Sequence, residues 1–403
     1  MSSGLNENCS LRLRNGRVVT PDALIEGMEV LIKGGRIESL IEQSGRANAS
    51  VAGALDLTGL TLFPGFIDVH IHGAVGVDTM DATTADLHRV ARFLAQEGVT
   101  AWLPTFVPAP DEDYRRAALA VEQLMAEQDA RRPPAARALG LHYEGPFINR
   151  AQCGALRPPY FRTYKEPSDV GSLPVVGEPP AIRMITVAPE IEGGIELVCE
   201  LRKQDWIVSI GHTRAGLESL EGARAAGARH MTHFFNAMSP LHHRAPGPVG
   251  WGLLSDDVTC DIIADGEHVA PLMLELALRC KTAKRLMLIS DAVAPAGQDD
   301  GEFRIWGEMI TVENGRTRNE RGSIAGSVIT MRDAVKRMLA LGVAPADAAR
   351  MASTNPARLL GVEASCGTIE TGKRADLVAL NDQGEVRLTV IGGRVAFAHM
   401  KAV

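Results

Sequence analysis

The chain has 403 residues, a net charge of −7 and 45% hydrophobic residues. That length is too great for one small core; it suits a large α/β barrel with an accessory domain, or two to three ordinary domains. With no basic run, nucleic acid and membrane surfaces are not expected as partners, and an anionic substrate would need local cations.

The opening stretch, MSSGLNENCSLRLR, carries no secretory signal, and no apolar run reaches the length of a membrane span. Six scattered cysteines without a C-x-x-C pair fit a reduced compartment, so the cytoplasm is the expected location. Residues 1–60 have an all-β texture, with short alternating runs split by Asn15-Gly16 and Gly34-Gly35, both hairpin signals. The tail has the same texture. One small β-sandwich domain is therefore expected from both termini, residues 1–60 with 361–403, around a barrel domain at 61–360.

The barrel begins with LFPGFIDVHIHG, read as one strand over 62–72. Residues i and i+2 on a strand share a face, so His70 and His72 aim at one place. A helix over 84–97 follows, capped by Thr83 or Thr84 and ended by Gly98. Next come a strand at 100–106 and a helix at 111–131. Further strands are expected at 138–147, 181–190, 206–213, 230–238, 259–269 and 286–295, with helices near 193–204, 215–226 and 270–280. Eight strands alternating with helices imply a parallel sheet closed into an α/β, (β/α)8 TIM-like barrel. An open doubly wound sheet is the alternative, but no G-x-G-x-x-G follows an early strand. Three long connections, 148–180, 239–258 and 296–329, are expected over the barrel mouth. The third contains a hairpin, FRIWGEMITVENG, and helices over 330–360 close the domain.

In such a barrel the catalytic groups sit at the C-terminal strand ends. Ligand-type side chains recur there: His70 and His72, His142 and Glu144, His212, His233, the run Asp265 to His268, and Asp291. That recurrence points to a site for one or two divalent metal ions, with zinc first and iron or manganese as alternatives. His142 shares the Glu144 face and either packs there or orients a ligand. His230, at the wrong strand end, is expected to be structural, and His88 to lie on a helix surface. Asp265 suits a turn cap and Glu267 a solvated charge. A metal site of this kind activates water near neutral pH. Asp291 is placed to take the water's proton and pass it to the leaving group. Hydrolysis of an amide, ester or cyclic C–N bond follows, and no Ser or Cys stands in a nucleophile context.

Together PGFIDVHIHG, HYEGPF, GHT, THFFNAM, ADGEHV and SDAVAPAG resemble the amidohydrolase superfamily, and within it the N-acetylglucosamine-6-phosphate deacetylases. The likeness runs over nearly the whole chain. It implies that Glu144, His212 and His233 hold the main metal, that His70 and His72 with Asp291 complete a second site, and that Asp291 is the general acid/base. It implies a phosphorylated amino-sugar substrate contacted by Ala155, Asn236, Ala237, Arg244, His268 and Gly326, with Arg244 reading phosphate across a homodimer interface. Strand four, AIRMITVAPE, has no lysine, unlike the dihydroorotase-like relatives that bridge two metals with a modified one. Leu156 stands where the family usually has a polar residue that reaches the substrate. A nearby group such as Gln152, a second metal, or a different N-acyl sugar is then expected to compensate.

Overall fold

The structure is a computed structural model that describes residues 10–42, 54–130, 133–177 and 181–399. Cys9 and Arg131 lie outside the described residues. Eight parallel strands form the barrel: Phe66–Ile71, Val99–Phe106, Gly140–Glu144, Ile182–Val187, Ile207–Ile210, His230–Met231, Thr259–Ile263 and Leu286–Ile289. Each pairs with the next in chain order. The last meets the first through Asp291 N donating to His70 O at 2.9 Å and His72 N to Ala292 O at 2.8 Å. The ring is thus closed at the very residues expected to carry the chemistry.

The helices form where apolar positions recur on one face and a cap is available. Thr84–Gln96 starts at Thr83, whose hydroxyl accepts from Asp86 N while the Asp86 carboxylate accepts from Thr83 N. That reciprocal cap and the buried stripe Leu87, Val90, Ala91 and Leu94 match the expected helix within a residue. Gly194–Lys203 and Leu217–Ala225 also fall where their periodicity places them, whereas Asp111–Glu127 gives way to a short 3-10 turn before its expected end and Pro271–Arg285 runs past residue 280 across a break at Thr282. His88 does not lie on a surface: it is 3% exposed and meets Glu127 at 3.0 Å, because its helix turns that side toward its neighbour Asp111–Glu127.

Both chain ends build one eight-stranded sheet, seven strands in line and Ala54–Asp56 paired off that line with Ser10–Val19, curled round a shared apolar core that includes Leu13, Val30, Ile32, Leu377 and Leu388. Gly34-Gly35 is the expected hairpin turn, with Lys33 paired to Arg36. Asn15-Gly16 is not a turn. The strand Ser10–Val19 continues through it with a bulge, and Asn15 Nδ2 donates to Asp56 Oδ1 at 3.0 Å.

The stretch 62–72 is two strands, not one. Thr61–Pro64 pairs in the terminal sheet with Leu377–Leu380, and Phe66–Ile71 belongs to the barrel. The chain crosses between the sheets at Gly65, where an added Cβ would stand 2.3 Å from the Thr100 side chain. The sixth strand is also shorter than expected. It ends at Met231, because His233, Phe235 and Ala237 take positive φ angles of 32°, 81° and 50° that no strand tolerates.

The three long connections meet the mouth in different ways. In the first, Gln152 O sits 2.6 Å from His212 Nδ1. The third forms a three-stranded antiparallel hairpin unit, Gly301–Ile305, Glu308–Glu313 and Arg316–Asn319, and brings Trp306 against His72. The second starts at the mouth, with Ser239 N donating to Thr213 O at 3.1 Å, and then runs outward into the helix Gly247–Leu254, which packs among the outer helices.

Candidate metal centre

Six side chains from five strand ends converge. His212 Nε2 and His233 Nε2 each lie 2.9 Å from Glu144 Oε1 and 3.2 Å from one another. His70 Nε2 and His72 Nε2 are 3.2 Å apart, and His72 Nε2 is 3.3 Å from Glu144 Oε2. Asp291 Oδ1 lies 3.2 Å from His72 Nε2 and 3.5 Å from His70 Nε2. Glu144 therefore stands between two groups, Glu144 with His212 and His233, and Glu144 with His70 and His72. All six residues are buried.

This donor set fits a divalent ion. Two imidazole nitrogens facing each other at 3.2 Å cannot both donate. A tetrahedral ion with bonds of about 2.0–2.1 Å separates its ligand atoms by about 3.3–3.4 Å, close to the spacings here. At His212 the tautomer is set from behind, since Nδ1 donates to Gln152 O and leaves the Nε2 lone pair facing the group.

The electrostatics point the same way. Burial alone would raise the Glu144 carboxyl, but His212, His233 and His72 hold it well below the usual range. Burial opposes charge on His72 and His233, yet the carboxylates beside them push the two up to about 10 and about 9. Burial holds His70 well below its ordinary value. The cluster draws positive charge to its centre whether as protons or as an ion.

Strain marks the same positions. His212, His233 and Asp291 sit at φ 48°, 32° and 49°, a region non-glycine residues rarely occupy. Asp261 holds His233 there: one carboxylate oxygen accepts from His233 N and the other meets His230 Nε2 at 2.8 Å. His230 is buried behind the site, in that structural bond. Asp68 does the equivalent on the other side, accepting from Ser290 Oγ at 2.5 Å and from His70 N at 3.4 Å, and burial pushes its carboxyl up to about 7. Asp291 is braced by Ser327, whose N donates to Asp291 O at 2.8 Å. Glu190 accepts from Thr213 Oγ1 and Arg214 N and fixes the turn after His212.

His142 lies under the metal-type ligands, outside both groups. Its Nδ1 donates to Val69 O at 3.2 Å and its Nε2 accepts from Thr186 Oγ1 at 2.9 Å, while burial lowers it to about 3 and keeps it neutral. Its ring stands edge-on to His70 with centroids 4.6 Å apart.

The residues expected to touch substrate are placed less uniformly. Asn236 and Ala237 follow His233 in its turn, and among the described residues Asn236 Nδ2 is buried without a hydrogen bond. His268 Nδ1 is 2.6 Å from Asp265 Oδ2, and Asp265 caps the turn by accepting from Glu267 N and His268 N. Glu267 is not simply solvated; Arg316 reaches it at 2.8 Å. Gly326 and His268 line one small cleft. Ala155 is half-buried and its carbonyl accepts from Arg321 at 3.0 Å, across from the hairpin unit. Arg244 is exposed, and among the described contacts its guanidinium meets His243 rather than the metal-type cluster. Leu156 is 3% exposed and belongs to the main apolar core.

Sequence reasoning missed Asp68, Asp261, Glu190, Ser327 and Trp306. Two of these left a trace. Asp68 extends the i, i+2 series of His70 and His72, and Asp261 interrupts an apolar strand run where a carboxylate needs a reason.

The profile of the Amidohydrolase family matches residues 61–396. The N-acetylgalactosamine-6-phosphate deacetylase of Escherichia coli O157:H7 is 38% identical over 336 residues, 83% of this chain and 87% of that protein. The N-acetylglucosamine-6-phosphate deacetylase of Bacillus subtilis (strain 168) is 34% identical over 402 residues, 98% of each. A variant of the Mycobacterium smegmatis N-acetyl-D-glucosamine-6-phosphate deacetylase, solved in complex with N-acetyl-D-glucosamine-6-phosphate, matches with a TM-score of 0.86 at 29% identity, covering 97% of this chain and 100% of that one.

Proposed function

The chain belongs to the amidohydrolase family, and from that premise we propose that it hydrolyses the acetyl amide of N-acetylglucosamine 6-phosphate to glucosamine 6-phosphate and acetate, in amino-sugar catabolism. The observation that carries this reading is the convergence of four imidazoles and two carboxylates at the mouth of a barrel whose near full-length relatives are deacetylases.

In this reading Glu144, His212 and His233 would hold one divalent ion, and His70 and His72, with Glu144 and Asp291 next to them, would hold a second. When bound, the ion would acidify water and polarise the acetyl carbonyl. The chain's own residues do the rest. Asp291 Oδ1, on the face of the cluster, takes the proton of the attacking water and returns it to the sugar nitrogen as the C–N bond breaks. The Ser327 and His70 backbone bonds keep that carboxylate from turning away. Asn236 offers a buried amide with donors to spare for a sugar or acetyl oxygen.

Zinc suits the imidazole-rich donor set, with iron or manganese as alternatives. Arg244 reads the 6-phosphate, and a homodimer brings it to the partner's site; the exposed Leu217 and Leu254 share one groove with Pro246, two residues on from Arg244, and supply an apolar face for that contact. A cytoplasmic location accords with free thiols at Cys153, Cys199, Cys260, Cys280 and Cys366. Among the described residues no helix is long and apolar enough to cross a membrane.

The galactosamine epimer is the second reading, favoured by the 38% identical relative. Acetate release measured on both N-acetylhexosamines, with and without 6-phosphate and with metal analysis of the same sample, decides between them. No release from any of the four sugars would overturn the reading.

A further inference from the structure

The hairpin unit over the mouth puts one large side chain into the site. Trp306 and Gly307 form the two-residue turn between Gly301–Ile305 and Glu308–Glu313, both at positive φ, 54° and 83°. A tryptophan at such a position is strained, where asparagine or glycine would do. Its side chain is 9% exposed, and its ring meets His72 edge-to-face, with centroids 5.2 Å apart and planes at 80°. A strained turn that buries an indole against a candidate ligand is selected for the indole.

Next to it, the short ladder Gly73–Ala74 with Val77–Asp78 pairs Gly73 with Asp78, and Thr79 N donates to His72 O at 2.8 Å. Asp78 thus stands one residue across from His72. One Asp78 oxygen accepts from Met80 N at 2.8 Å. The Trp306 indole acts on the Asp78 carboxyl as a donor that holds it down, against the burial that pushes it up to about 6. Among the described residues Asp78 Oδ2, Trp306 Nε1 and His72 Nδ1 are buried in this corner with no hydrogen bond of full geometry. They are complementary. One is an acceptor, one a donor, and the third a donor once His72 Nε2 faces a cation. Buried polar atoms are rarely left so.

We propose that Asp78 and Trp306 are positioning residues for His72, with Asp78 anchoring the indole and the indole edge fixing the imidazole so that the His70–His72 half of the site holds its ion. The hairpin unit is then a working part of that half-site. The assignment rests on the reading that His70 and His72 bind a second ion.

The test is titration of metal-free protein with Co(II), followed by visible absorption and by metal analysis. Wild type takes up two equivalents. Asp78→Ala and Trp306→Phe each weaken the second equivalent about 10- to 100-fold and leave the first unchanged. Asp78→Asn, which keeps an acceptor oxygen, recovers most of that loss. Thermal melts of the metal-free proteins establish that the variants fold. Unchanged second-ion affinity in Asp78→Ala and Trp306→Phe overturns the inference and leaves the deacetylase reading standing. So does a wild type that takes one ion only, or a fall in both ions together, which marks a general loss of structure. A wild type that takes up no metal overturns the deacetylase reading as well.

Discussion

In the proposed reaction Asp291 carries the proton, and its setting makes the consequence of removing it specific. Its carboxylate faces the cluster while its backbone is tied on both sides, to His70 O and from Ser327 N. Asp291→Asn keeps shape and backbone bonds but cannot accept the proton. Substrate binding is expected to persist while kcat falls about 10²- to 10⁴-fold; a steady-state comparison with isothermal binding of the substrate checks it. Leu156 behaves differently from what its place in the sequence suggests. Its side chain packs in the apolar core, so Leu156→Gln buries an amide without partners. The expected result is a loss of about 1–3 kcal/mol in a denaturant melt with sugar preference unchanged. Arg244→Ala should raise KM for phosphorylated sugars at least tenfold and leave unphosphorylated ones untouched. Equal losses on both would remove it as the phosphate reader.

At the scale of elements, the sequence made the helices and most strands legible because a single periodicity decides them. The Thr83–Asp86 cap, the stripe on Thr84–Gln96 and the glycine after it are local signals. What was not legible is where strands stop. The sixth strand breaks at His233 because Asp261, 28 residues on, captures its backbone N–H. A long-range bond of that kind leaves no periodic trace. The ligand-type residues were legible by chemistry and position, whereas the groups that brace them were not, since Ser327 and Glu190 look like ordinary loop residues until the chain is folded. Gly326 shows the cost of disturbing such a brace. It sits at φ 62°, and an added Cβ would stand 2.5 Å from Val293 and 2.9 Å from Asp291 O. Gly326→Ala is expected to push the Asp291 backbone by a fraction of an ångström and cut kcat up to about 10²-fold with metal content intact.

For the molecule as a whole, metal loading and acidity are coupled. Without an ion, His72 and His233 hold protons, their carboxylate neighbours keeping them charged up to about 10 and about 9. An ion must displace those protons, so acid competes with metal. Log affinity at each half-site is expected to rise by about one per pH unit from pH 6 toward 9 as one proton is released. Affinity that stays flat over that range would contradict it.

The curled sheet has a consequence for how the chain is made. Thr61–Pro64 waits for Leu377–Leu380, a partner more than three hundred residues away that is made only after the whole barrel. Until it emerges, the amino-terminal strands present a bare edge to anything nearby, including another nascent copy. Stopping synthesis after residue 360 should therefore yield inclusion bodies rather than a smaller working enzyme, although every side chain of the proposed site has already been translated.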